Sequence, residues 1–272
     1  MCGRYQLIAP PEAVRQLFAV DIDGEPFPPR YNIAPTQPIH VVHRDEAGRR
    51  RLTLMRWGLL PSWVKDPAAF TLLINARIET APDKPAFRAA MKRRRCLVPA
   101  TGFYEWRAMP AGPRQPFLVR APDAPLLAFA GIFETWIGPD GEEMDTAAIL
   151  TREASEPIRD IHDRMPVVVP PEAFSAWLDT AGHDVADALG ALGASPDGFF
   201  APVAITSRIN SARNEGPEVA IPAEAAPSRR PDPTADGPAA SGGAEPAAVA
   251  PSRGASRPAP RKRAGGGQLD LL

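Results

Sequence analysis

The stretch RRCLVPATGFYEW, residues 94–106, contains the start of two strand-like segments, Cys96–Val98 and Gly102–Arg107, with proline and glycine between them. Dense aliphatic and aromatic residues favour strands, and Pro and Gly mark the places where strands end. Similar segments lie on both sides, at Gly3–Ile8, Ile39–Arg44, Arg51–Trp57, Leu72–Ala76, Phe117–Arg120, Leu126–Trp136, Ala147–Thr151, Val167–Val169 and Phe200–Ile205.

Helix-like segments are fewer, and they do not alternate regularly with the strands. We expect them at Pro11–Ala19, Pro85–Lys92, Pro171–Leu178 and Asp184–Leu192. A doubly wound parallel sheet would need regular alternation of strands and helices. The sequence therefore predicts a strand-rich α+β domain, with a curved or partly open barrel-like sheet on which the helices pack.

The composition divides the chain into two parts. Of 272 residues, 44% are hydrophobic and 23% are charged, which is ordinary for a globular protein, but 34 are proline. No Phe, Trp or Tyr occurs after Phe200. Because a segment without large apolar side chains cannot offset the entropy cost of ordering, we predict a folded domain over 1–222 and a disordered tail over 223–272.

Charge and cysteine content exclude several classes of protein. A net charge of −1 argues against general attraction to nucleic acid, so any anion site must be local. Two cysteines exclude a disulfide framework and a cysteine-rich zinc module. His40 and His43 lie on opposite faces of a predicted strand, and we expect no metal site and no cofactor. The sequence has no apolar run of membrane-spanning length and no signal peptide, so we expect a cytoplasmic protein.

Cys2 is the first residue that points to chemistry. If the initiator methionine is removed, Cys2 carries an α-amine of pKa about 7.7–8.0 beside a thiol of about 8.5. In one chemistry the amine is the base for its own thiol, which attacks an amide. In the other the amine condenses with an aldehyde and the thiol closes a thiazolidine ring. Cys96, in an apolar strand, is expected to be a core residue.

Eight motifs in a fixed order carry a family resemblance. They are MCGRY (1–5), YNIAPTQ (31–37), RWGLLPSW (56–63), INARIET (74–80), RRCLVPATGFYEW (94–106), AGIFETW (130–136), IHDRMPVVV (161–169) and SRINSARNEGPE (207–218). Together they resemble the SRAP family, the SOS-response-associated peptidases, which are understood as abasic-site shielding proteins. The resemblance covers residues 1–222 and implies the SRAP fold, single-stranded DNA as partner and a nucleoid-associated location.

The resemblance also implies the reaction and its residues. It implies that Cys2 traps the aldehyde of an abasic site in single-stranded DNA as a thiazolidine, with AP lyase activity as a further expectation. Glu105, in an apolar strand, would have a raised pKa suited to proton transfer. His162 would relay protons, and Asn75 would bind the sugar hydroxyl or the imine.

A DNA-binding surface is expected close to these residues. Single-stranded nucleic acid is usually held by basic groups together with aromatic side chains on which bases stack. We expect phosphate contacts from guanidinium groups, base stacking by tryptophans and one residue at the pocket floor. The candidates are Arg4, Arg77, Arg88, Arg164, Trp57, Trp63, Trp106 and Asn32, and a core position is an alternative for each tryptophan.

The tail ends in a candidate docking motif, Gln268–Leu272. These residues resemble the peptide by which bacterial repair proteins bind the DNA polymerase sliding clamp. A flexible linker before such a motif would let the domain search nearby DNA.

Two other classes of function remain open. One is a thiol hydrolase with an N-terminal nucleophile, either a self-processing peptidase or a glutamine amidotransferase. The other is a DNA-binding adaptor in which Cys2 is inert. Substitution of Cys2 separates both from covalent capture.

Overall fold

A computed structural model describes residues 2–21, 26–193 and 196–225. The strands are β1 (Tyr5–Leu7), β2 (Arg30–Ile33), β3 (Pro38–Arg44), β4 (Arg50–Trp57), β5 (Asn75–Arg77), β6 (Arg95–Ala100), β7 (Gly102–Arg107), β8 (Gln115–Arg120), β9 (Leu127–Ile137), β10 (Glu143–Glu153), β11 (Arg164–Pro166) and β12 (Ala201–Ala204). The α-helices are α1 (Pro11–Phe18), α2 (Arg88–Arg93), α3 (Phe174–Leu178) and α4 (Val185–Gly190). Short 3-10 turns include Ile158–Asp160, Ser207–Asn210 and Pro217–Ala220.

Five strands close into a barrel in the order β10, β4, β3, β6 and β9, with β9 returning to pair with β10. All neighbours are antiparallel except β4 and β10, which run parallel. The predicted strand-rich α+β class with a barrel-like sheet is confirmed. The long β9–β10 hairpin completes the ring. The barrel is therefore closed, whereas the sequence analysis predicted a curved or partly open sheet.

A second, antiparallel sheet has the order β12, β8, β7, β1, β2. The chain passes from the barrel into this sheet between β6 and β7, where only Thr101 separates the two strands. Gly102 is at this crossing with φ +157°, and a Cβ there would lie 2.8 Å from the carbonyl oxygen of Val119. Glycine is therefore needed for β7 to lie beside β8 at this point.

The helices are fixed to the barrel from its outside. In α1, Val14 and Phe18 are buried, and Phe18 stacks on Phe174 with ring centroids 5.2 Å apart. Arg95 is only 1% exposed, and its guanidinium donates to the carbonyls of Met91 (3.2 Å), Trp177 (2.7 Å), Asp179 (2.9 Å) and His183 (2.9 Å). These carbonyls satisfy the buried charge and hold α2 and α3 against β6.

The elements differ from the sequence predictions at several places, and the strand predicted at Leu72–Ala76 is shorter and lies later, at Asn75–Arg77. β2 was not predicted, because three prolines lie in the four residues before it and it follows no clear apolar alternation. The strand predicted at Val167–Val169 lies earlier, at Arg164–Pro166, and only a bridge from Val168 to Phe129 continues it. The described region extends past the predicted boundary at 222 to a short turn at Ala223–Ala225. The rest of the predicted tail, with the motif at 268–272, lies outside the described residues.

Candidate active site and nucleic-acid interface

Cys2 lies three residues before Tyr5, the first residue of β1, and is completely buried. The antiparallel register of β1 and β7 pairs Tyr5 with Phe103, and the amide of Tyr104 donates to the Arg4 carbonyl at 2.9 Å. Continued by two residues, this register sets Cys2 and Gly3 beside the Glu105 end of β7. The thiol donates to the Arg4 carbonyl at 3.7 Å. Burial raises the pKa of the Cys2 thiol well above its usual value, and the charge of Glu105 acts in the same direction.

Glu105 is the acidic group of this site and is 2% exposed. Side chains alternate along β7, so Phe103 packs in the main core that includes Cys2, whereas Tyr104 and Trp106 pack in a second cluster. Glu105 therefore points to the Cys2 side of the sheet. Burial raises the pKa of Glu105 to about 7, against the opposing charge of the amino terminus. A carboxyl group with this pKa can donate or accept a proton near neutral pH.

Asn75 begins β5, which pairs with β10 through the register of Asn75 with Ile149. Its Nδ2 donates to the carbonyl oxygen of Cys2 at 2.8 Å. Its Oδ1 is buried and has no hydrogen-bond partner within the described part of the chain. Asn75 therefore fixes the backbone of Cys2 and offers one acceptor for a hydroxyl or an N–H of a bound molecule.

His162 lies in the turn between the 3-10 segment Ile158–Asp160 and β11, and its side chain is 23% exposed. Its Nδ1 accepts a hydrogen bond from the backbone N–H of Arg164 at 3.0 Å and is 2.8 Å from Oδ1 of Asp163. Burial lowers the pKa of His162, and the amino-terminal charge lowers it further. A neutral ring whose Nδ1 accepts from Arg164 carries its proton on Nε2.

The four predicted catalytic residues belong to one neighbourhood. A hydrogen bond links Asn75 to Cys2. The charge of the amino terminus acts on the pKa values of Cys2, Glu105 and His162 alike. Residues from β5, β7, the start of β1 and the turn before β11 thus share one electrostatic environment. Within the described ranges, no group of His, Cys, Asp and Glu residues could hold a metal ion.

Arg4 is held by a segment from the far end of the domain, residues 207–214, which we call the strap. Nη1 of Arg4 donates to Oδ1 of Asn32 at 2.7 Å and to the Ile209 carbonyl at 2.9 Å. Nδ2 of Asn32 donates to the carbonyls of Ser211 (2.9 Å) and Asn214 (2.8 Å). Asn32 is 2% exposed, so this structure assigns it to fixing Arg4 and the strap and gives it no surface for direct contact with DNA.

Replacing Asn32 with alanine is expected to weaken single-stranded DNA binding about tenfold and to lower Tm. Two strap carbonyls and one bond to Arg4 would lose their partner, and each unsatisfied buried group costs about 1–3 kcal/mol. Fluorescence anisotropy with a labelled strand and thermal unfolding would measure both effects. Wild-type affinity in a destabilised Asn32→Ala protein would contradict the role assigned to Asn32.

The three predicted stacking tryptophans have different positions. Trp57 is fully buried, its ring contacts Tyr5 edge-on at 5.3 Å and its Nε1 donates to the Ile74 carbonyl at 2.9 Å. It has no free face for a base, so its assignment as a stacking residue is corrected to the core. Trp63 is 58% exposed and packs edge-on against Phe70. Trp106 is half-buried, and its Nε1 donates to Oδ1 of Asn210 at 2.8 Å.

The other predicted phosphate ligands are also not equivalent. Arg77 is exposed at the end of β5, two residues after Asn75. Arg164 already donates through both Nη atoms to the carboxylate of Glu79. Arg88 is exposed in α2, where it lines a separate shallow cleft with Lys92 and Val185. Arg4 and Arg77 are therefore the best placed of the four for a strand that enters the Cys2 site.

Searches for similar proteins agree with this architecture. The family model described as "SOS response associated peptidase (SRAP)" matches residues 1–212. The abasic site processing protein YoqW of Bacillus subtilis is 35% identical over 222 residues, covering 80% of this chain and 98% of YoqW. The abasic site processing protein HMCES of Rattus norvegicus is 31% identical over 272 residues, covering 82% of this chain and 76% of HMCES.

Solved structures show the same fold. A crystal structure of a Bacteroides thetaiotaomicron protein superposes with TM-score 0.69 at 23% identity, covering 80% of this chain and 98% of that one. A phage-related protein of Bordetella bronchiseptica superposes with TM-score 0.62 at 30% identity, covering 76% of this chain and 95% of that one. No described helix is long and apolar enough to cross a membrane. By its family model, its relatives and its fold, the chain belongs to the SOS response associated peptidase (SRAP) family.

Proposed function

We propose that this protein processes abasic sites in single-stranded DNA by capturing their aldehyde covalently on Cys2 after removal of Met1. The observation that carries the proposal is the arrangement around Cys2, which lies buried at the start of β1 with Asn75 on its carbonyl and Glu105 as its ionisable neighbour. The relatives named abasic site processing proteins support the choice of DNA lesion. Capture would shield the lesion during replication and repair.

The reaction needs an open sugar, an amine and a thiol. Glu105, protonated below about pH 7, donates a proton to the sugar ring oxygen as the ring opens to the aldehyde. The neutral amine of Cys2 adds to the aldehyde carbon, and loss of one water gives an imine. The thiol sulfur then adds to the same carbon as the C=N double bond becomes a single bond, and the thiol proton passes to the nitrogen, closing the thiazolidine. No oxidant or reductant is consumed.

Asn75 and His162 serve different steps of this sequence. Oδ1 of Asn75 accepts a hydrogen bond from the sugar hydroxyl or from the N–H of the protonated imine. His162 offers a proton from Nε2 in the steps that follow capture. In reversal the proton goes to the departing sulfur. In strand scission a base takes the C2′ proton, the C3′–O bond breaks as a C2′=C3′ double bond forms, and the His162 proton goes to the leaving phosphate oxygen. AP lyase activity would then use the same residues as crosslinking.

The strand is held by a small number of groups around the site. Arg4 and Arg77 bind phosphates, and Trp63 and Trp106 stack on bases. Because the net charge of the whole chain is −1, binding depends on these local groups and falls with added salt. Arg88 and Arg164 are weaker candidates for phosphate contacts, because Arg88 lies at a separate cleft and Arg164 is paired with Glu79.

Amide hydrolysis by Cys2 is the alternative chemistry for the same residues. Hydrolysis requires the thiolate as the first nucleophile, and burial raises the pKa of the Cys2 thiol well above its usual value. Capture places the amine first and uses the sulfur only after an electrophilic imine has formed. The buried thiol therefore favours capture over a peptidase or amidotransferase reaction.

The test uses a labelled single strand with one abasic site and a denaturing gel. Its controls are the intact strand and a strand whose abasic aldehyde has been reduced to the alcohol, which keeps the shape but cannot form an imine. We expect a heat-stable shifted band with the aldehyde only, and an intact mass equal to DNA plus protein lacking Met1, minus one water. A band with the reduced strand, or no band when Met1 is shown to be absent, would refute covalent capture.

The sliding clamp is a second proposed partner, through Gln268–Leu272. Three leucines and a glutamine after a long polar linker fit a peptide that docks in an apolar groove. Deletion of residues 268–272 is expected to abolish clamp binding in an anisotropy assay and to leave crosslinking unchanged. A peptide with the same residues in scrambled order is the control, and equal clamp affinity of both peptides would end this proposal.

A further inference from the structure

Glu79 and Arg164 form a two-pronged ion pair beside the site. Oε1 and Oε2 of Glu79 accept from Nη1 and Nη2 of Arg164 at 2.9 and 2.8 Å. Glu79 follows β5, the strand of Asn75, and Arg164 begins β11 directly after the His162 turn. The pair therefore joins the two segments that deliver Asn75 and His162, which lie on either side of β10.

This pair is more firmly built than an ordinary surface ion pair. The Arg164 side chain is 13% exposed, and its Nη2 also donates to the Thr151 carbonyl at 2.6 Å. The same carbonyl accepts from the backbone N–H of Ile78 at 2.9 Å, so one acceptor of β10 holds both segments. Hydrogen bonding from Arg164 lowers the pKa of Glu79, as expected for a carboxylate in a fork-to-fork contact. Glu79 is thus ionised at neutral pH and fixes the guanidinium plane.

Arg164 passes this constraint to His162 through its backbone. The Arg164 N–H donates to Nδ1 of His162 at 3.0 Å, while the Asp163 carboxylate lies 2.8 Å from the same nitrogen. The two contacts compete, because an amide N–H requires an unprotonated Nδ1 and a carboxylate favours a protonated one. The Asp163 side chain is 84% exposed. Arg164, in contrast, is held by the Glu79 carboxylate, by the Thr151 carbonyl and by its strand pairing with Glu153. The Arg164 contact prevails as long as Arg164 stays in place.

We propose that Glu79 is a positioning residue which, through Arg164, keeps the proton of neutral His162 on Nε2, where it can be donated to the bound lesion. The role rests on the proposed function, in which His162 acts after capture. Glu79 does not touch the lesion and does not take part in thiazolidine formation. Its loss should therefore separate the release and scission steps from capture.

The direct test is long-range proton–nitrogen NMR of the histidine rings, which reports the tautomer without DNA. In the wild type we expect the His162 signals to show Nδ1 unprotonated and Nε2 protonated, with His162→Asn used to assign them. In Glu79→Ala and in Arg164→Ala we expect a mixture of tautomers, and in the double variant no further change. Glu153→Ala is the matched control, because it removes a nearby carboxylate whose ion pair is with Arg159 and not with Arg164.

Kinetics give the second readout. We expect Glu79→Ala to form the crosslink within about twofold of the wild-type rate but to release or cut the strand about tenfold more slowly, the usual scale for loss of an orienting partner. Glu79→Gln, which keeps one acceptor oxygen, should lie between the two. The pH dependence of the release rate also reflects the other groups that act on the pKa of His162, which are Asp163, Arg114, Arg164 and the amino terminus.

The outcomes distinguish this inference from the proposed function. A wild-type His162 with its proton on Nδ1, or unchanged tautomer and release rate in Glu79→Ala, would overturn the role of Glu79. A wild-type protein that forms no crosslink would overturn covalent capture, and the tautomer measurement would still decide the positioning of His162. If Glu79→Ala does not fold, the tautomer of His162 in the wild-type spectrum and the release rate of Glu79→Gln test the role of Glu79.

Discussion

Replacing Cys2 with alanine is expected to abolish the heat-stable crosslink, a loss on the order of a hundredfold or more in yield. The α-amine remains in this variant, so the imine still forms, but no sulfur closes the ring. Borohydride added during incubation should therefore trap the variant on an abasic strand, whereas boiling without borohydride should release it. Denaturing gels run with and without the reductant measure the two states separately.

The second cysteine supplies the matched control for this experiment. Cys96 is also fully buried, in β6 of the barrel, and burial raises its thiol pKa as it does that of Cys2. Cys96→Ala is expected to crosslink like the wild type, since Cys96 packs against Gly131 within the barrel. A stable crosslink formed by Cys2→Ala, or one lost in Cys96→Ala with the fold intact, would contradict the assignment of the nucleophile.

Glu105→Gln is expected to slow capture about a hundredfold at pH 7, within the range for loss of a general acid. The pKa of Glu105 is raised to about 7, so the proton that opens the sugar ring is present below pH 7 and is lost as the pH rises. The wild-type rate should therefore show an alkaline limb that the variant lacks. The capture rate of the variant should rise with pH until the amine of Cys2 is neutral. The difference in capture rate between the two proteins should therefore be smaller at pH 9 than at pH 7.

Stability separates this catalytic effect from misfolding. The folded pKa of Glu105, about 7, lies above its unfolded value of about 4.3, so the group favours folding fully below pH 4 and loses that contribution as the pH rises through 7. Glutamine carries no charge, and the Tm of Glu105→Gln at pH 8 should equal or exceed that of the wild type. A rate loss that is independent of pH, or a lower Tm at pH 8, would argue against the acid role. Glu105→Asp tests whether a shorter carboxyl group restores part of the alkaline limb.

The sequence predicted candidate catalytic residues because each lies in a short motif whose residue types suit a reaction. Cys2, Asn75, Glu105 and His162 were all predicted in this way, and the structure places them in one neighbourhood. The strand-rich class also followed from local pattern. The closure of the barrel did not, because the parallel contact of β4 with β10 joins Trp57 to Ala147 across some ninety residues and leaves no local signal.

Contacts between distant segments account for what the sequence missed. Asn32 bonds to Asn214, 182 residues away, and Glu79 bonds to Arg164, 85 residues away. A charged residue in a motif is predicted to be exposed when its partner elsewhere in the chain is unknown. Trp57 and Trp63 share one motif, yet one is buried against Tyr5 and the other is 58% exposed. Trp57 contacts β1 of the second sheet and is therefore a core residue, whereas Trp63 remains accessible.

The burial of Cys2 sets an order of events in the life of the newly made chain. Once β1 is seated between β2 and β7, Cys2 has no exposed surface, and we expect an aminopeptidase to cut the peptide bond on its amino side only before this seating. β7 pairs with β1 from about 100 residues further along the chain, as Phe103 does with Tyr5. At a translation speed of about 5–20 residues per second this leaves about 5–20 s between emergence of the first residues and synthesis of β7. For the proposed capture by Cys2, removal of Met1 would therefore have to precede the pairing of β1 with β7, and a chain that folds first would have no free amine on Cys2.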